Sequence, residues 1–258
     1  MPEIWFLLYA LALGLCIGSF LNVVIYRLPM GRSIKDPPRS VCPCCGQQIR
    51  FFDNLPLISY LWLRAHCRDC HAPIHWRYPL VELLGGALAW GCAVRFGPSG
   101  QALVSFALCA ALLAAAMIDI DHRIIPDAIT LAGTPVIYLG TVTLTAATWR
   151  HGLLGALVGA GILWLVASGY RCVARREGMG LGDVKLMALI GAGVGWQGAV
   201  FTIFAGALYG ALAGGLSMVH SGRGMKTAIP FGPFLAAGAI TYLMAGPELV
   251  NRYLVLTR

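Results

Sequence analysis

Residues 4–26 read IWFLLYALALGLCIGSFLNVVIY, an apolar run of 23 residues without a charged side chain. A helix that crosses a membrane needs about 20 such residues. The one charged side chain before the run is Glu3, and positively charged residues begin after the run, at Arg27. A cleavable signal peptide has positive charge first and a shorter apolar core. The run is therefore predicted to be a permanent span, with residue 1 outside the cytoplasm and residue 27 inside.

The whole chain has the composition of a membrane protein. Its 258 residues are 58% hydrophobic and 12% charged, with a mean hydropathy of +0.74, whereas soluble proteins carry about 25% charged residues. The formal net charge is +8, but the basic residues lie in short loops between apolar runs, where they set orientation in a membrane. We therefore expect contact with membrane lipid and no nucleic-acid partner.

Apolar runs recur along the chain and predict an all-α polytopic membrane protein with about eight transmembrane helices. The candidate spans are 4–26, 80–96, 101–118, 128–147, 152–170, 184–196, 199–219 and 232–249. Both termini then lie outside, and the inner loops hold 15 of the 19 Lys and Arg residues, leaving Arg95, Arg150, Arg252 and Arg258 elsewhere. This asymmetry follows the positive-inside rule. The predicted division is a first helix (1–26), a cytoplasmic domain (27–79) and a seven-helix membrane core (80–258).

The loop domain, residues 27–79, is too short to bury much core of its own. It contains Cys42-x-x-Cys45 and Cys67-x-x-Cys70, a pattern typical of tetrahedral Zn²⁺ sites. A closed four-cysteine site has no open position for a water, so the zinc is predicted to be structural. A redox-sensitive cysteine pair is the alternative, and Cys44 could replace Cys45 as a ligand.

Two acidic residues adjoin apolar runs on the predicted cytoplasmic side. Asp119 follows the run that ends at Ile118, and Asp183 ends the glycine-rich stretch Gly178-Met-Gly-Leu-Gly-Asp183. A helix-capping role is the alternative for Asp183, but three glycines also allow a peptide backbone to approach closely. Glu82 is expected in the first turn of the second span, as an acid that complements the helix dipole.

Two carboxyl groups brought together from separate helices can share one proton, because like charges a few Å apart cannot both ionise cheaply. The ionised group then activates water while the protonated group polarises a scissile carbonyl. This is the chemistry of aspartyl proteases. It requires Asp119 and Asp183 to meet, which the sequence alone does not establish.

A set of motifs occurs in order along the chain: Gly18-Ser-Phe-Leu-Asn-Val-Val-Ile-Tyr-Arg-Leu-Pro29, the two Cys-x-x-Cys pairs, Asn54-Leu-Pro-Leu-Ile-Ser-Tyr60, Arg77-Tyr-Pro-Leu-Val-Glu82, Ile118-Asp-Ile-Asp-His122 with Pro126-Asp127, Gly178-Met-Gly-Leu-Gly-Asp183 and Ile229-Pro-Phe-Gly-Pro-Phe234. Together they resemble the bacterial prepilin peptidase family, also called type IV leader peptidases, over nearly the whole length. Gly-x-Gly-Asp alone recurs by chance, whereas the ordered set is specific.

The resemblance implies a function and its residues. Asp119 and Asp183 match the family's catalytic pair. Bacterial members cleave the short basic leader of prepilins or pseudopilins at the inner membrane, with the active site on the cytoplasmic side. They then methylate the new N-terminus with S-adenosylmethionine. Members without the cysteine loop are peptidases only, so the loop domain favours both activities. The sequence does not place the methyl-donor site.

Alternative functions remain open at this stage. The enzyme could be a peptidase without methylation. In a different class, a transporter would also carry carboxylates within the membrane, although transporters tend to show internal repeats and midplane sites. A nonenzymatic assembly protein would need neither Asp119 nor Asp183. The sequence does not identify the pilin substrates or the oligomeric state.

Overall fold

The computed structural model describes residues 2–36, 40–175, 179–221 and 230–256. Within them the fold is helical apart from two isolated β-bridges. The helices are α1 (Pro2–Arg27), α2 (Ile58–Trp62), α3 (Arg77–Phe96), α4 (Gly100–His122), α5 (Asp127–Leu144), α6 (Trp149–Ala174), α7 (Leu181–Ser221) and α8 (Gly232–Leu256), with short 3₁₀ turns at Leu28–Met30 and Phe51–Asn54. The all-α fold is confirmed.

Most of these helices can cross a membrane. Six of them in the described part, with α7 counted once, are long and apolar enough, and α8 contributes a shorter apolar stretch, Gly232–Gly246. Large apolar side chains also remain exposed along them, including Leu165 and Phe204, which is expected of helices that face lipid. The chain is therefore an integral membrane protein.

Helix α7 is a hairpin of two segments, residues 181–194 and 196–221. Gly195 interrupts it with a φ of 74° and a ψ of 178°. Gly159 of α6 faces both the Met187 carbonyl and the Ala199 methyl group. In a straight helix those two residues would lie about 18 Å apart, so the chain reverses direction at Gly195. With the segments counted separately, each of the eight predicted apolar runs corresponds to one helical segment. Two predicted ends are wrong: α5 ends at Leu144, before the end of the run 128–147, and the run 184–196 extends past the break at Gly195.

The chain divides into two compact units, Met1–Pro98 and Ser99–Arg258. In the first unit, α1 packs closely on α3. A Cβ on Gly14 would lie 2.6 Å from the Gly85 carbonyl oxygen, and one on Gly18 would lie 2.7 Å from the Glu82 Cα. Such small-residue contacts let helix backbones approach in lipid. The three-part division predicted from the sequence stays a prediction. In the structure α3 packs on α1, and both helices lie in the first unit.

The second unit is built around α4. In its most apolar stretch, 72% of the residues are buried, a far larger share than in any other span of the described residues. Leu112 and Ala115 on this helix are fully buried, and Asp119 follows them at helical spacing on the same face. The helix continues to His122, so Asp119 lies in the last turn of α4 and the predicted run ending at Ile118 was too short.

Candidate active site and cysteine cluster

Asp119 and Asp183 are both buried at helix ends. Asp119 is 5% exposed in the last turn of α4, and Asp183 is 9% exposed in the first turn of α7. Helical spacing puts Asp183 on the same face as Met187 and Ile190, which are fully buried. The apolar packing of each helix thus turns its terminal carboxylate inward, away from the surrounding solvent.

The structure brings these two carboxyl groups together. They are close enough to interact electrostatically, and both line one cavity of about 630 Å³. The cavity is lined by Asp119, Arg123, Ile124, Ile125, Asp127, Met179, Gly180, Gly182, Asp183, Lys185, Pro230 and Phe231. A space of this size is typical of ligand sites. The arrangement can therefore hold a segment of extended peptide and a water beside two carboxyl groups.

Backbone amides hold both carboxylates. The Gly232 N–H, at the start of α8, donates to Asp119 Oδ2 at 3.0 Å. The Gly180 N–H donates to the Asp183 carboxylate. The first N–H groups of a helix have no partner within it, so the start of α8 can serve as a donor to Asp119. Each carboxylate is thus oriented by a group that cannot rotate away.

Ile125 closes one side of the site. A Cβ on Gly182 would lie 3.1 Å from the Ile125 Cβ, and one on Gly232 would lie 3.2 Å from its Cδ1. A Cβ on Gly180, by contrast, would meet nothing closer than 3.8 Å. Of the two described glycines among those predicted to leave room for substrate, Gly180 has space beside it, whereas Gly182 is covered by Ile125. Gly178 lies outside the described residues.

An ion pair joins two helices at the rim of the cavity. Lys185 Nζ on α7 lies 2.7 Å from Asp127 Oδ1 at the start of α5. The Asp127 side chain is 58% exposed, so the pair contributes little to stability. Asp121 is exposed and is not among the cavity residues. Asp127 and Asp121 thus differ in position from the buried pair Asp119 and Asp183, which we call the dyad, and both are more exposed than it.

The four predicted zinc ligands are also brought together. The Sγ atoms of Cys42, Cys45, Cys67 and Cys70 all lie within 4.8 Å of one another. Cys42 Sγ and Cys70 Sγ are 3.8 Å apart, and a tetrahedral site with Zn–S bonds of about 2.3 Å has S–S edges of about 3.8 Å. The cluster therefore fits a metal ion, and Cys44 lies outside it.

Two similar turns build the cluster. In the first, the Cys42 N–H donates to the Gln47 carbonyl and the Gly46 N–H donates to the Cys42 carbonyl. In the second, Cys67 and His71 make the same two bonds, to the Ala72 and Cys67 carbonyls. Gly46 and His71 both adopt positive φ, at 71° and 55°. Each turn thus presents its two thiols toward the same point.

The thiols in the cluster compete for ionisation. Donation from the Cys45 backbone N–H is the main cause that lowers the pKa of Cys42 to about 7, against the opposing effect of burial. The Ala72 N–H also favours the Cys70 thiolate, but desolvation and the neighbouring cysteines outweigh it and raise the pKa of Cys70 to about 12. Binding of a divalent metal would remove this mutual repulsion, because metals bind thiolates.

Glu82 does not have the role expected from the sequence. It is the sixth residue of α3, beyond the first turn, so it does not complement the helix dipole. Its Oε2 accepts a hydrogen bond of 2.9 Å from the Leu57 N–H, and the Ser19 hydroxyl also bonds to it. These partners are far away in sequence, so the local pattern could not reveal that Glu82 holds the loop domain.

Comparison with known proteins places the chain in a family. The Bacterial Peptidase A24 N-terminal domain matches residues 12–96, and the Type IV leader peptidase family matches residues 106–215. A prepilin leader peptidase/N-methyltransferase of Burkholderia pseudomallei is 40% identical over 93% of this chain and 85% of its own length. The chain belongs to the type IV leader peptidase family.

Other relatives cover the chain still more fully. The prepilin leader peptidase/N-methyltransferase of Stutzerimonas stutzeri is 40% identical over 98% of this chain and 95% of its own length. That of Pseudomonas aeruginosa is 39% identical over 96% and 93%. No solved structure matches this chain. The similarity therefore includes both units, with one family match in each.

Proposed function

We propose that this type IV leader peptidase cleaves the short basic leader of prepilins or pseudopilins and then N-methylates the new N-terminus. The active site faces the cytoplasm at a bacterial inner membrane. The observation that carries the proposal is that Asp119 and Asp183, from separate helices, line one cavity at helix ends. A transporter would place such carboxylates near the midplane of its spans, so their terminal position favours the peptidase.

Cleavage uses the two carboxyl groups in opposite protonation states. One carboxylate removes a proton from a water, whose oxygen attacks the scissile carbonyl carbon. The other carboxyl group gives its proton to the carbonyl oxygen. When the tetrahedral intermediate collapses, the C–N bond breaks and the nitrogen takes up the proton that the first carboxyl group had received from water. The C=O bond forms again as a hydroxyl group of the intermediate returns its proton to the second carboxylate. The pair returns to a singly protonated state, as aspartic proteases require.

The backbone donors support this mechanism by fixing geometry. Gly232 holds one oxygen of Asp119 and leaves the other free to contact water. Reaction rates depend on such placement, since a displacement of about 1 Å can cost roughly 100-fold. Gly180 borders the open side of the cavity beside Asp183, where a peptide backbone can approach. The site is thus ready to accept an unwound segment of substrate.

The metal in the cysteine cluster is proposed to be Zn²⁺ with a structural role. Cys42, Cys45, Cys67 and Cys70 would hold it as four thiolates, in the tetrahedral arrangement that their sulfur positions fit. The ion would link the two turns of the loop domain, which buries little apolar surface of its own: Cys42 is the buried apolar side chain in its described part.

Methylation is proposed from the names of the relatives and from the presence of the loop domain. S-adenosylmethionine would supply the methyl group as a second substrate. The new N-terminal amine must be neutral to accept it, so a group that takes up the ammonium proton is required. We assign no side chains of this chain to the methyl donor.

A single assay tests the proposed function. The purified protein is incubated in detergent with a prepilin that carries a basic leader and with S-adenosylmethionine, and the product is analysed by mass spectrometry. We expect a product that lacks the leader and carries one added methyl group on its N-terminal residue. An uncut prepilin would contradict the proposal, and a cut but unmethylated product would restrict it to the peptidase.

A further inference from the structure

The loop domain exposes an unusual amount of apolar surface. Phe51, Leu61 and Trp62 are 86%, 76% and 78% exposed, although they lie outside the apolar runs that form spans. We call the whole set the aromatic face; it consists of Phe51, Phe52, Leu55, Ile58, Leu61, Trp62 and Trp76. Single exposed apolar residues are ordinary, whereas exposed apolar residues grouped together mark an interaction surface. Six of these seven residues lie within residues 51–62.

Helix α2 shows that this exposure is organised. Ile58, Leu61 and Trp62 follow one another at helical spacing and therefore share one side of the helix. That side is exposed, whereas Ser59 and Tyr60 are partly buried. A helix at a water-facing surface has the opposite arrangement, with its apolar side inward. The environment of α2 is therefore apolar or amphipathic.

A hydrogen bond holds the segment against the membrane-spanning part of its own unit. The Leu57 N–H donates to Glu82 at 2.9 Å, and Glu82 lies about 7–8 Å inside the start of α3, at 1.5 Å per residue. Leu57 has a positive φ of 60°, a strained conformation for leucine, which this bond helps to maintain. Helix α2 begins at the next residue. It therefore begins beside the first two turns of α3.

The charges near the aromatic face are those that anionic lipid would attract. The loop domain has eight Lys and Arg residues but only three acids, Asp36, Asp53 and Asp69. Asp53 is paired with Arg68 at 2.6 Å, and Asp69 lies 3.9 Å from Arg50. Trp76 directly precedes Arg77, the first residue of α3. Tryptophan and basic residues are both favoured at the membrane interface, and basic residues are attracted to anionic headgroups.

We propose that the aromatic face of the loop domain lies in the headgroup layer of anionic lipid, in the leaflet where α1 ends and α3 begins. The segment that carries most of the face, residues 51–62, lies between the two cysteine turns. Lipid contact would then hold the metal-binding turns at the membrane surface and restrict rotation of the loop domain about α1 and α3.

The test measures the environment of Trp62 and Trp76 in the full-length protein. The protein is labelled with 5-fluorotryptophan and placed in nanodiscs of mixed zwitterionic and anionic phospholipid. Their ¹⁹F resonances are assigned with Trp62→Phe and Trp76→Phe. Broadening is then compared between a lipid carrying a spin label near its headgroup and a water-soluble gadolinium chelate. Trp164, exposed on the α6 span, is the reference for lipid contact, and Gln47→Trp, at an exposed position of the first cysteine turn, is the reference for water.

The proposal expects Trp62 and Trp76 to broaden severalfold more with the spin-labelled lipid than with the gadolinium chelate. The Gln47→Trp signal should show the reverse. If the gadolinium chelate broadens Trp62 as strongly as it broadens the water reference, the aromatic face is exposed to water and the proposal is wrong. It is equally wrong if Trp62 is protected from both agents, because the face is then covered by protein.

Discussion

Asp119 depends on a backbone amide that lies 113 residues further along the chain. Gly232 donates to its Oδ2, and no side chain larger than hydrogen fits there, because a Cβ would lie 2.7 Å from that oxygen. Glycine is needed here for space and not for an unusual backbone conformation. The position of the proposed catalytic carboxylate is therefore sensitive to a single methyl group.

We expect Gly232→Ala to reduce cleavage by roughly tenfold or more, since small displacements of a catalytic group are costly. The added methyl pushes against the Asp119 carboxylate and Ile125 Cδ1. Gly210→Ala is the matched control, because its Cβ would meet the Phe234 ring at an ordinary distance of 3.5 Å. The measurement is the initial rate of prepilin cleavage at equal amounts of folded protein. Equal rates for the two variants would show that Gly232 does not position Asp119.

The sequence predicted the acidic pair because acids are few in this apolar chain, and it predicted the four cysteines because of their Cys-x-x-Cys spacing. It did not predict the partners of those residues. Gly232 and Glu82 act through hydrogen bonds to residues 113 and 25 positions away. Such pairs depend on how helices pack, which local sequence does not encode. The Ile229-Pro-Phe-Gly-Pro-Phe234 motif marked the helix start but gave no indication of its target.

Helix α6 fits against α7 through glycines on both sides. A Cβ on Gly155 would collide with the Gly191 carbonyl oxygen, and one on Gly191 would collide with the Gly155 carbonyl oxygen. Without a hydrophobic drive between helices in lipid, such close backbone contact supplies much of the packing energy. The hairpin of α7 carries Asp183 at its first turn, so this packing also determines where that carboxylate lies.

Gly155→Ala should destabilise the second unit by about 1–3 kcal/mol, the usual effect of overpacking a close contact. Gly161→Ala, on the same helix, should be neutral or slightly stabilising, because nothing lies within 4 Å of its Cβ position and alanine favours helix. Thermal unfolding in detergent compares the two variants with the wild type. An equal melting temperature for Gly155→Ala and Gly161→Ala would contradict the close packing.

Long helices were predicted well because most of the apolar runs have the length that a membrane requires; the run 184–196 is shorter. The division of α7 was also predicted, as two runs separated near Trp196, and the helix is broken at the adjacent Gly195. Helix α2 was not predicted. It has only five residues, and its position depends on the bond from Leu57 to Glu82, not on propensity.

The two units of the chain coincide with two separate family matches, residues 12–96 and 106–215. The dyad lies entirely in the second unit, and the cysteine cluster lies entirely in the first. Cleavage needs the dyad and a water, whereas methylation needs a site for a second substrate. Damage confined to the loop domain should therefore affect the two activities unequally.

We expect Cys67→Ser or Cys70→Ser to remove bound zinc and to reduce methylation more than cleavage, because metal binding and folding are coupled in small domains. Cys44→Ser is the matched control, since Cys44 lies outside the cluster. It should keep the zinc and both activities. Metal analysis and mass spectrometry of the product measure these effects at matched expression. Equal loss of both activities in the cluster variants would show that they do not separate.

The central claim is that Asp119 and Asp183 carry out the cleavage, and the most direct test is the cleavage rate of Asp119→Asn and Asp183→Asn. Asp121→Asn serves as the control, because Asp121 is exposed and does not line the cavity. Each purified variant is incubated with a prepilin, and the leaderless product is quantified by mass spectrometry. We predict no cleavage above background for Asp119→Asn and Asp183→Asn, with both proteins folded, and most of the wild-type rate for Asp121→Asn. A near-normal rate for Asp119→Asn or Asp183→Asn would contradict the claim.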